Sequence, residues 1–225
     1  MPPSTGCAQA AEAALYRHLR GLGMVEIPAT RPGTPPAPDG ASEDGEGVEA
    51  VLFRHADPHV LLHLLPVLDP ARRARIFGGA RALVVVARRA GGLRHALVPP
   101  GLPPAPPGLL RLTPEQYEAL TRSRVAASHD RIAAFLRRNL PPQLAGMTDA
   151  DLHETVVRAE PVGRSLGLRS EKALARWSYL MLLSGGQVAA MPEVRAALRD
   201  SPDPEVGVKA LIDEAAAALR RGAAG

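Results

Sequence analysis

Ser128, His129 and Asp130 follow one another in the chain, and a serine, a histidine and a carboxylate are the parts of a nucleophilic relay. The surrounding sequence predicts a helix, on which adjacent side chains point in different directions and cannot form that relay. No G-x-S-x-G elbow, phosphate-binding loop or dinucleotide fingerprint is present. The sequence therefore predicts no enzyme, no catalytic residue and no cofactor. A hydrolase would need an activity that disappears on Ser128→Ala, which we do not expect.

Histidines at intervals of four are the candidates for a metal site, because two imidazoles one helical turn apart can share a metal ion. They are His55, His59 and His63. No carboxylate motif accompanies them, and His55 precedes the helix start that we predict at Asp57. The single Cys7 cannot form an internal disulfide or a thiolate cage. We therefore predict no metal site.

The net charge of +4 and the pI near 9.8 raise the question of nucleic-acid binding. Residues 1–50 carry three basic and seven acidic groups, residues 51–110 carry eight and two, and residues 111–225 carry sixteen and fourteen. Almost no aromatic side chains accompany the basic excess, so bases would find few rings on which to stack. The pattern does not favour nucleic acid as the partner. The basic excess consists of Arg72, Arg73, Arg75, Arg81, Arg88, Arg89 and Arg94.

Three features indicate the compartment. No apolar run approaches the roughly 18 to 20 residues that span a bilayer. The start of the chain lacks the basic and apolar regions of a secretory signal, and one cysteine fits a reducing environment. The sequence predicts a soluble cytoplasmic protein without membrane contact.

The first 47 residues are predicted to be one amphipathic helix followed by a disordered linker. In residues 8–22 an apolar stripe recurs at spacings of three and four. From Pro28 to Gly47 the chain is rich in proline, glycine, serine and acid, with no periodic apolar positions. The stripe consists of Ala11, Leu15, Leu19 and Leu22.

Residues 48–108 are predicted to form a small α/β lobe with a short sheet. An apolar strand over residues 48–53 is followed by two cap-and-proline signals, Asp57-Pro58 and Asp69-Pro70, each of which starts a helix. Residues 82–87 and 93–98 predict a hairpin whose turn contains Gly91-Gly92. Prolines and glycines then end the lobe.

Residues 109–225 are predicted to form an all-α lobe, so the fold class is α+β. Helices are expected after the caps Thr113, Thr148 and Ser170. Two more begin at Pro192 and Pro204. Trp177 stands among leucines at helical spacing, which favours a core position over an exposed anchor for a partner.

The segment LFRHADPHVLLHLLPVL, followed by Asp69-Pro70, resembles the signature of the type VI secretion effector chaperones, also called adaptors. The later segments LTPEQYEAL, LGLRSEKALARW and LMLLSGG are similar too, and the resemblance covers residues 48 to about 213. An arginine is usual in the family where His59 stands. The matching positions are Phe53, Arg54, Asp57, Pro58, Val60 and Leu61.

The resemblance implies a non-catalytic chaperone that binds a secreted effector and delivers it to the spike or tip of a contractile injection machine. Phe53, Arg54, Asp57 and Pro58 would form its structural motif. It also implies that the first half of the α/β lobe is reduced or lost, because only one helix and a linker are predicted before Val48.

The predicted hairpin is the candidate partner-binding element, through Arg88, Arg89 and Arg94. Its edge could accept a partner strand while the arginines pair with acidic groups. Equally, it could be a solvated edge whose charges prevent aggregation. The competing function is a small regulatory or nucleic-acid-binding protein that uses the surface from Arg72 to Arg94.

Overall fold

In a computed structural model, the protein is described over residues 5–29, 47–87, 91–140 and 142–222. The chain divides into two compact units, Met1–Arg124 and Val125–Gly225. The described strands all lie in the first unit, whereas the second is helical. This arrangement confirms the predicted α+β class.

In the described residues of the N-terminal unit, two small sheets and three α-helices precede the long helix α4. Its elements are α1 (Thr5–Gly21), β1 (Met24–Pro28), β2 (Val48–Leu52), α2 (Pro58–Leu64), α3 (Pro70–Phe77), β3 (Ala82–Ala87), β4 (Gly92–Leu97), β5 (Leu110–Arg111) and the first part of α4 (Pro114–Arg138).

The strand β1 is the centre of a three-stranded sheet of order β2-β1-β5. It runs antiparallel to β2, with Val25 opposite Val51, and parallel to β5, with Val25 opposite Leu110. Val25 and Ile27 are buried in the core. The sequence predicted only a helix and a linker before Val48, so β1 is a correction. The strand was not predicted because its two buried aliphatic residues, Val25 and Ile27, are too few to form a recognisable alternating pattern.

The predicted cap-and-proline helices are confirmed. The Asp69 carboxylate accepts the Arg72 backbone N–H over 2.8 Å at the start of α3. It also accepts a hydrogen bond from the side-chain amide of Gln116 over 3.0 Å. Gln116 and Thr113 in turn exchange side-chain and backbone hydrogen bonds at the start of α4. The two helix starts therefore share one polar network.

The first turns of α4 belong to the N-terminal unit. Tyr117 and Leu120 pack against its core, and the unit extends to Arg124. The boundary predicted from sequence lay at residue 108. The buried members of this core are Leu22, Val25, Ile27, Phe53, Leu61, Leu64, Leu68, Ile76, Leu110 and Leu112.

The helix α1 confirms the predicted N-terminal helix but not a fully packed apolar stripe. Leu22 is buried just after its end, whereas Leu15 and Leu19 are exposed. Residues 30–46 of the linker predicted from Pro28 to Gly47 lie outside the described residues, and Pro28 is the last residue of β1.

The C-terminal unit contains the rest of α4 together with α5 (Asp149–Ser165), α6 (Glu171–Leu183), α7 (Pro192–Arg199) and α8 (Pro204–Gly222). Trp177 is fully buried in its core, which confirms the predicted core position. A Cβ atom at Gly163 of α5 would lie 3.0 Å from both Trp177 and Leu174. The glycine therefore allows α5 and α6 to pack closely.

Two caps position α6. Ser170 accepts the Ala173 backbone N–H over 3.1 Å, as predicted for an N-cap. Glu205 of α8 accepts hydrogen bonds from the backbone N–H and the hydroxyl group of Ser170, over 2.6 and 2.7 Å. The first turn of α8 is thereby tied to the start of α6.

Candidate partner-binding surface

The four motif residues of the sequence form the turn between β2 and α2. Phe53 is buried in the N-terminal core. Asp57 caps α2, because its Oδ1 accepts the His59 backbone N–H over 2.9 Å, and Pro58 occupies the first helical position. Arg54 Nη2 lies 3.4 Å from Asp57 Oδ2. The predicted cap is confirmed.

A shallow depression lies over this turn and is lined only by consecutive residues, from Leu52 to Pro58. The Nδ1 atom of His55 is buried there without a hydrogen-bond partner. The depression contains one carboxylate, Asp57, and that group already caps α2. It therefore brings together no acid–base pair.

The hairpin of β3 and β4 has one packed face and one exposed face. The strands are antiparallel, with Val84 opposite His95 and Val86 opposite Leu93. Leu83 and Val85 pack against the core of the unit. Side chains alternate along a strand, so the residues between them point the other way.

We call the exposed side of this hairpin the outer face. Its four aliphatic members have exposed fractions of 60% for Val84, 59% for Val86, 66% for Leu93 and 68% for Leu97. Among the described residues no third strand joins the hairpin. This face could not be predicted from the sequence, because residues 82–87 form a continuous aliphatic run that does not show which positions are buried.

Of the three arginines predicted to bind a partner, the structure describes only Arg94. Arg88 and Arg89 lie outside the described residues. Arg94 is exposed on β4 and lies on the side opposite to Leu93. Its guanidinium group folds back over the turn, where a Cβ atom at Gly91 would lie 2.9 Å from it.

Three arginines of the basic segment bind backbone carbonyl groups inside the N-terminal unit. Arg72 donates to the carbonyl of Arg111 and to Asp69. Arg73 donates to the carbonyl groups of Leu65 and Pro66, each over 3.2 Å.

Arg75 connects three segments of the N-terminal unit. It donates to the carbonyl groups of Gly21 and Gly108, each over 3.1 Å, and so ties α3 to the end of α1 and to the loop before β5. These guanidinium groups therefore stabilise the unit.

The histidines considered for a metal site do not converge. His63 Nδ1 lies 2.9 Å from the hydroxyl group of Ser123, whereas His55 Nδ1 has no partner. Over the described part of the chain, no group of three or more histidine, cysteine, aspartate or glutamate side chains could hold a metal ion.

Ser128, His129 and Asp130 face three different partners. The Ser128 hydroxyl group donates to Glu171 over 2.9 Å. His129 Nε2 lies 2.5 Å from Glu160 Oε2, and both side chains are largely buried. The predicted divergence of these side chains is confirmed, because the Asp130 carboxylate instead lies 3.5 Å from His153.

The Glu160 carboxylate has a lowered pKa. Burial alone would raise it, but hydrogen bonds from His129 and Arg164 outweigh that effect. The contact of His129 with Glu160 joins α4 to α5, whereas Arg164 pairs with Glu160 within α5.

No helix in the described ranges is both long enough and apolar enough to cross a membrane. No protein-family model, curated protein or solved structure matches this chain.

Proposed function

We propose that the chain is a non-catalytic, cytoplasmic chaperone of the type VI secretion adaptor class. It binds a secreted effector protein and delivers it to the spike or tip of the machine. The observation that carries this proposal is the amount of aliphatic surface on the N-terminal unit. Contiguous exposed apolar patches on soluble proteins commonly mark protein-binding sites.

That aliphatic surface includes Leu15 and Leu19 of α1, the outer face of the hairpin, and Met24, Val48 and Leu52 of the three-stranded sheet.

The turn from Phe53 to Pro58 supports the choice of family. The residues by which the sequence resembles the adaptors are those that order this turn, since Phe53 anchors it and Asp57 caps the helix that follows. The resemblance therefore includes positions with a clear structural role.

The competing regulatory or nucleic-acid-binding function has less support. Phosphate binding needs guanidinium groups that can reach the nucleic-acid backbone. Arg72, Arg73 and Arg75 instead donate to carbonyl groups of their own unit. We therefore favour a protein partner.

The test is a deletion of this gene in its native host. The measured quantity is the delivery into competitor cells of each effector that the host's machine secretes. We expect the deletion to abolish delivery of one effector and a plasmid copy of this chain to restore it. Delivery of the other effectors by the same machine serves as the control and should stay unchanged.

Two results would contradict the proposal. Unchanged delivery of every effector would show that no adaptor function resides here. Loss of every effector together would indicate a component of the machine itself.

A further inference from the structure

We propose that two copies of this chain pair along β2 about a two-fold axis, so that two three-stranded sheets become one six-stranded sheet. The inference goes beyond the proposed function and does not depend on it. It assigns an interaction surface, the edge of β2, and its occupant, the same edge of a second copy.

The strand β2 lies at the edge of its sheet and pairs only with β1 among the described strands. At one end of this ladder the Phe53 N–H donates to the carbonyl group of Gly23 over 2.9 Å. At the other end the Ala29 N–H donates to that of Gly47 over 2.7 Å. Hydrogen-bonded pairs alternate along an antiparallel ladder, so the odd-numbered residues of β2 bond to β1. The backbone groups of its even-numbered residues point to the open edge.

The even-numbered residues of β2 are Val48, Ala50 and Leu52, and their side chains lie on one face of the strand. Val48 is 42% exposed and Leu52 is 75% exposed, and Ala50 is exposed as well. Among the described residues, none of their outward backbone groups has a hydrogen-bond partner. Such an edge binds another strand through main-chain hydrogen bonds.

This edge is complementary to itself. Antiparallel pairing about a two-fold axis at Ala50 places Ala50 opposite its own copy and Val48 opposite Leu52. Both contacts between Val48 and Leu52 would cover aliphatic side chains that the single chain exposes. Glu49 is the one charged residue of β2, and it falls opposite Val51, so no like charges meet directly across the pair.

The symmetry also limits the size of the assembly. In an isologous pair each copy uses the same edge once, so the pairing ends at a dimer and does not extend into a filament. A strand from a different protein would use the same backbone groups of β2. Only pairing of β2 with itself brings residue 50 of one copy against residue 50 of the other, and this difference can be tested.

The first experiment measures the mass of the purified full chain by sedimentation equilibrium at concentrations up to about 0.1 mM. Ala50→Lys and Ala50→Glu each place like charges at the axis, and each should raise the dissociation constant of the dimer about ten-fold or more. An equal mixture of the two variants should restore the dimer, because a lysine then faces a glutamate. Val206→Lys and Val206→Glu are the matched controls, at a position of α8 that is 61% exposed, and should dimerise like wild type.

A second experiment does not rely on charged variants. Ala50→Cys is introduced together with Cys7→Ser, so that position 50 carries the single cysteine. Directly opposed residues of a hydrogen-bonded pair have Cα atoms about 5.5 Å apart, which suits a disulfide. We expect mild oxidation to yield a covalent dimer. Val206→Cys in the same Cys7→Ser background should stay monomeric under those conditions.

The proposal would be overturned by a wild-type chain that stays monomeric at every concentration. A dimer that neither charged variant weakens would place the interface elsewhere. Folded charged variants that fail to associate when mixed would exclude the two-fold axis at Ala50. Circular dichroism shows whether those variants fold, and if they do not, the absence of a disulfide at position 50 decides against the pairing.

Discussion

Arg75 belongs to the basic segment from Arg72 to Arg94, which raised the question of nucleic-acid binding. Its side chain nevertheless contributes to the stability of the fold. Its guanidinium group donates to the carbonyl groups of Gly21 and Gly108, which are far apart in sequence. An arginine can do this because its donors are fixed in a planar fork. The position of α3 therefore depends on this residue.

We expect Arg75→Ala to lower the free energy of unfolding by about 1 to 2 kcal/mol, because two carbonyl groups lose a charged donor. Arg75→Lys should recover only part of that loss. Denaturant unfolding followed by circular dichroism measures the change. Arg81→Ala, at an exposed arginine of the same segment, is the control and should stay within about 0.5 kcal/mol of the wild type.

The role of Asp57 as the N-cap of α2 can be tested by substitution. Asp57→Ala removes the acceptor for the first turn of α2 and should cost about 0.5 to 2 kcal/mol in thermal unfolding. Asp57→Asn keeps a capping oxygen and should be close to wild type. If Asp57→Ala unfolded like wild type while partner binding disappeared, the turn would be a contact surface rather than scaffold.

At the scale of elements, the end of α3 depends on a glycine that no other residue can replace without strain. Gly78 has a φ of 53°, and its Cβ position would lie 2.5 Å from the ring of His18. The same ring lies over the end of α3, with Nε2 3.0 Å from the carbonyl oxygen of Ile76. The contact joins α1 to α3.

Gly78→Ala should therefore destabilise the protein by about 1 to 3 kcal/mol, through backbone strain and a displaced imidazole. The neighbouring Gly79→Ala is the matched control, because nothing lies within 4 Å of its Cβ position. It should change stability by less than about 0.5 kcal/mol. Equal destabilisation by both variants would argue against the His18 contact as the cause.

The elements that the sequence predicted are those with local signals. Asp57-Pro58 and Asp69-Pro70 begin helices because a capping carboxylate and a proline act within one turn of chain. The strands β1 and β5 were missed because they are short and are defined by their pairing with each other. Leu15 is exposed although its spacing is helical, since periodicity does not show whether a face is covered.

The hairpin itself could be predicted from the sequence, whereas its exposed aliphatic face could not. The hairpin was predicted from the glycines of its turn, Gly91 and Gly92. Its arginines were proposed as contacts because charged residues can be recognised from the sequence alone. The aliphatic outer face required the register of β3 against β4 and the contact of Leu83 with the core. Neither is a local property of the sequence.

At the scale of the whole molecule, carboxylates with lowered pKa values make stability depend on pH, and Asp69, Glu160 and Glu205 are among them. Burial would raise the pKa of Asp69, but hydrogen bonds from Arg72 and Gln116 lower it below 3.8. Glu160 is lowered in the same way by His129 and Arg164 despite its burial. The hydroxyl and backbone N–H groups of Ser170 lower the pKa of Glu205 below 4.5.

A lowered folded-state pKa stabilises the protein above the unfolded-state pKa, and this contribution is lost as the pH falls through the folded value. We therefore expect the free energy of unfolding to decrease below about pH 4.5. Glu205→Gln should weaken this dependence in the C-terminal unit. Unfolding of the C-terminal unit is measured by the fluorescence of Trp177, the single tryptophan of the chain. Glu193→Gln, at an exposed position on α7, is the control. A Glu205→Gln profile parallel to that of wild type would contradict the assignment.

The outer face also affects the tendency of the protein to aggregate in the cell. The strand β3 is a six-residue aliphatic segment, ALVVVA, and its outer edge is unpaired within the described residues. Such segments can nucleate cross-β aggregation. In the sequence, Arg81 precedes this segment and Arg88 and Arg89 follow it, and charged residues that flank such a segment oppose the stacking of copies through repulsion. Because salt screens that repulsion, the chain should lose colloidal stability at high ionic strength, and production without a partner should favour inclusion bodies.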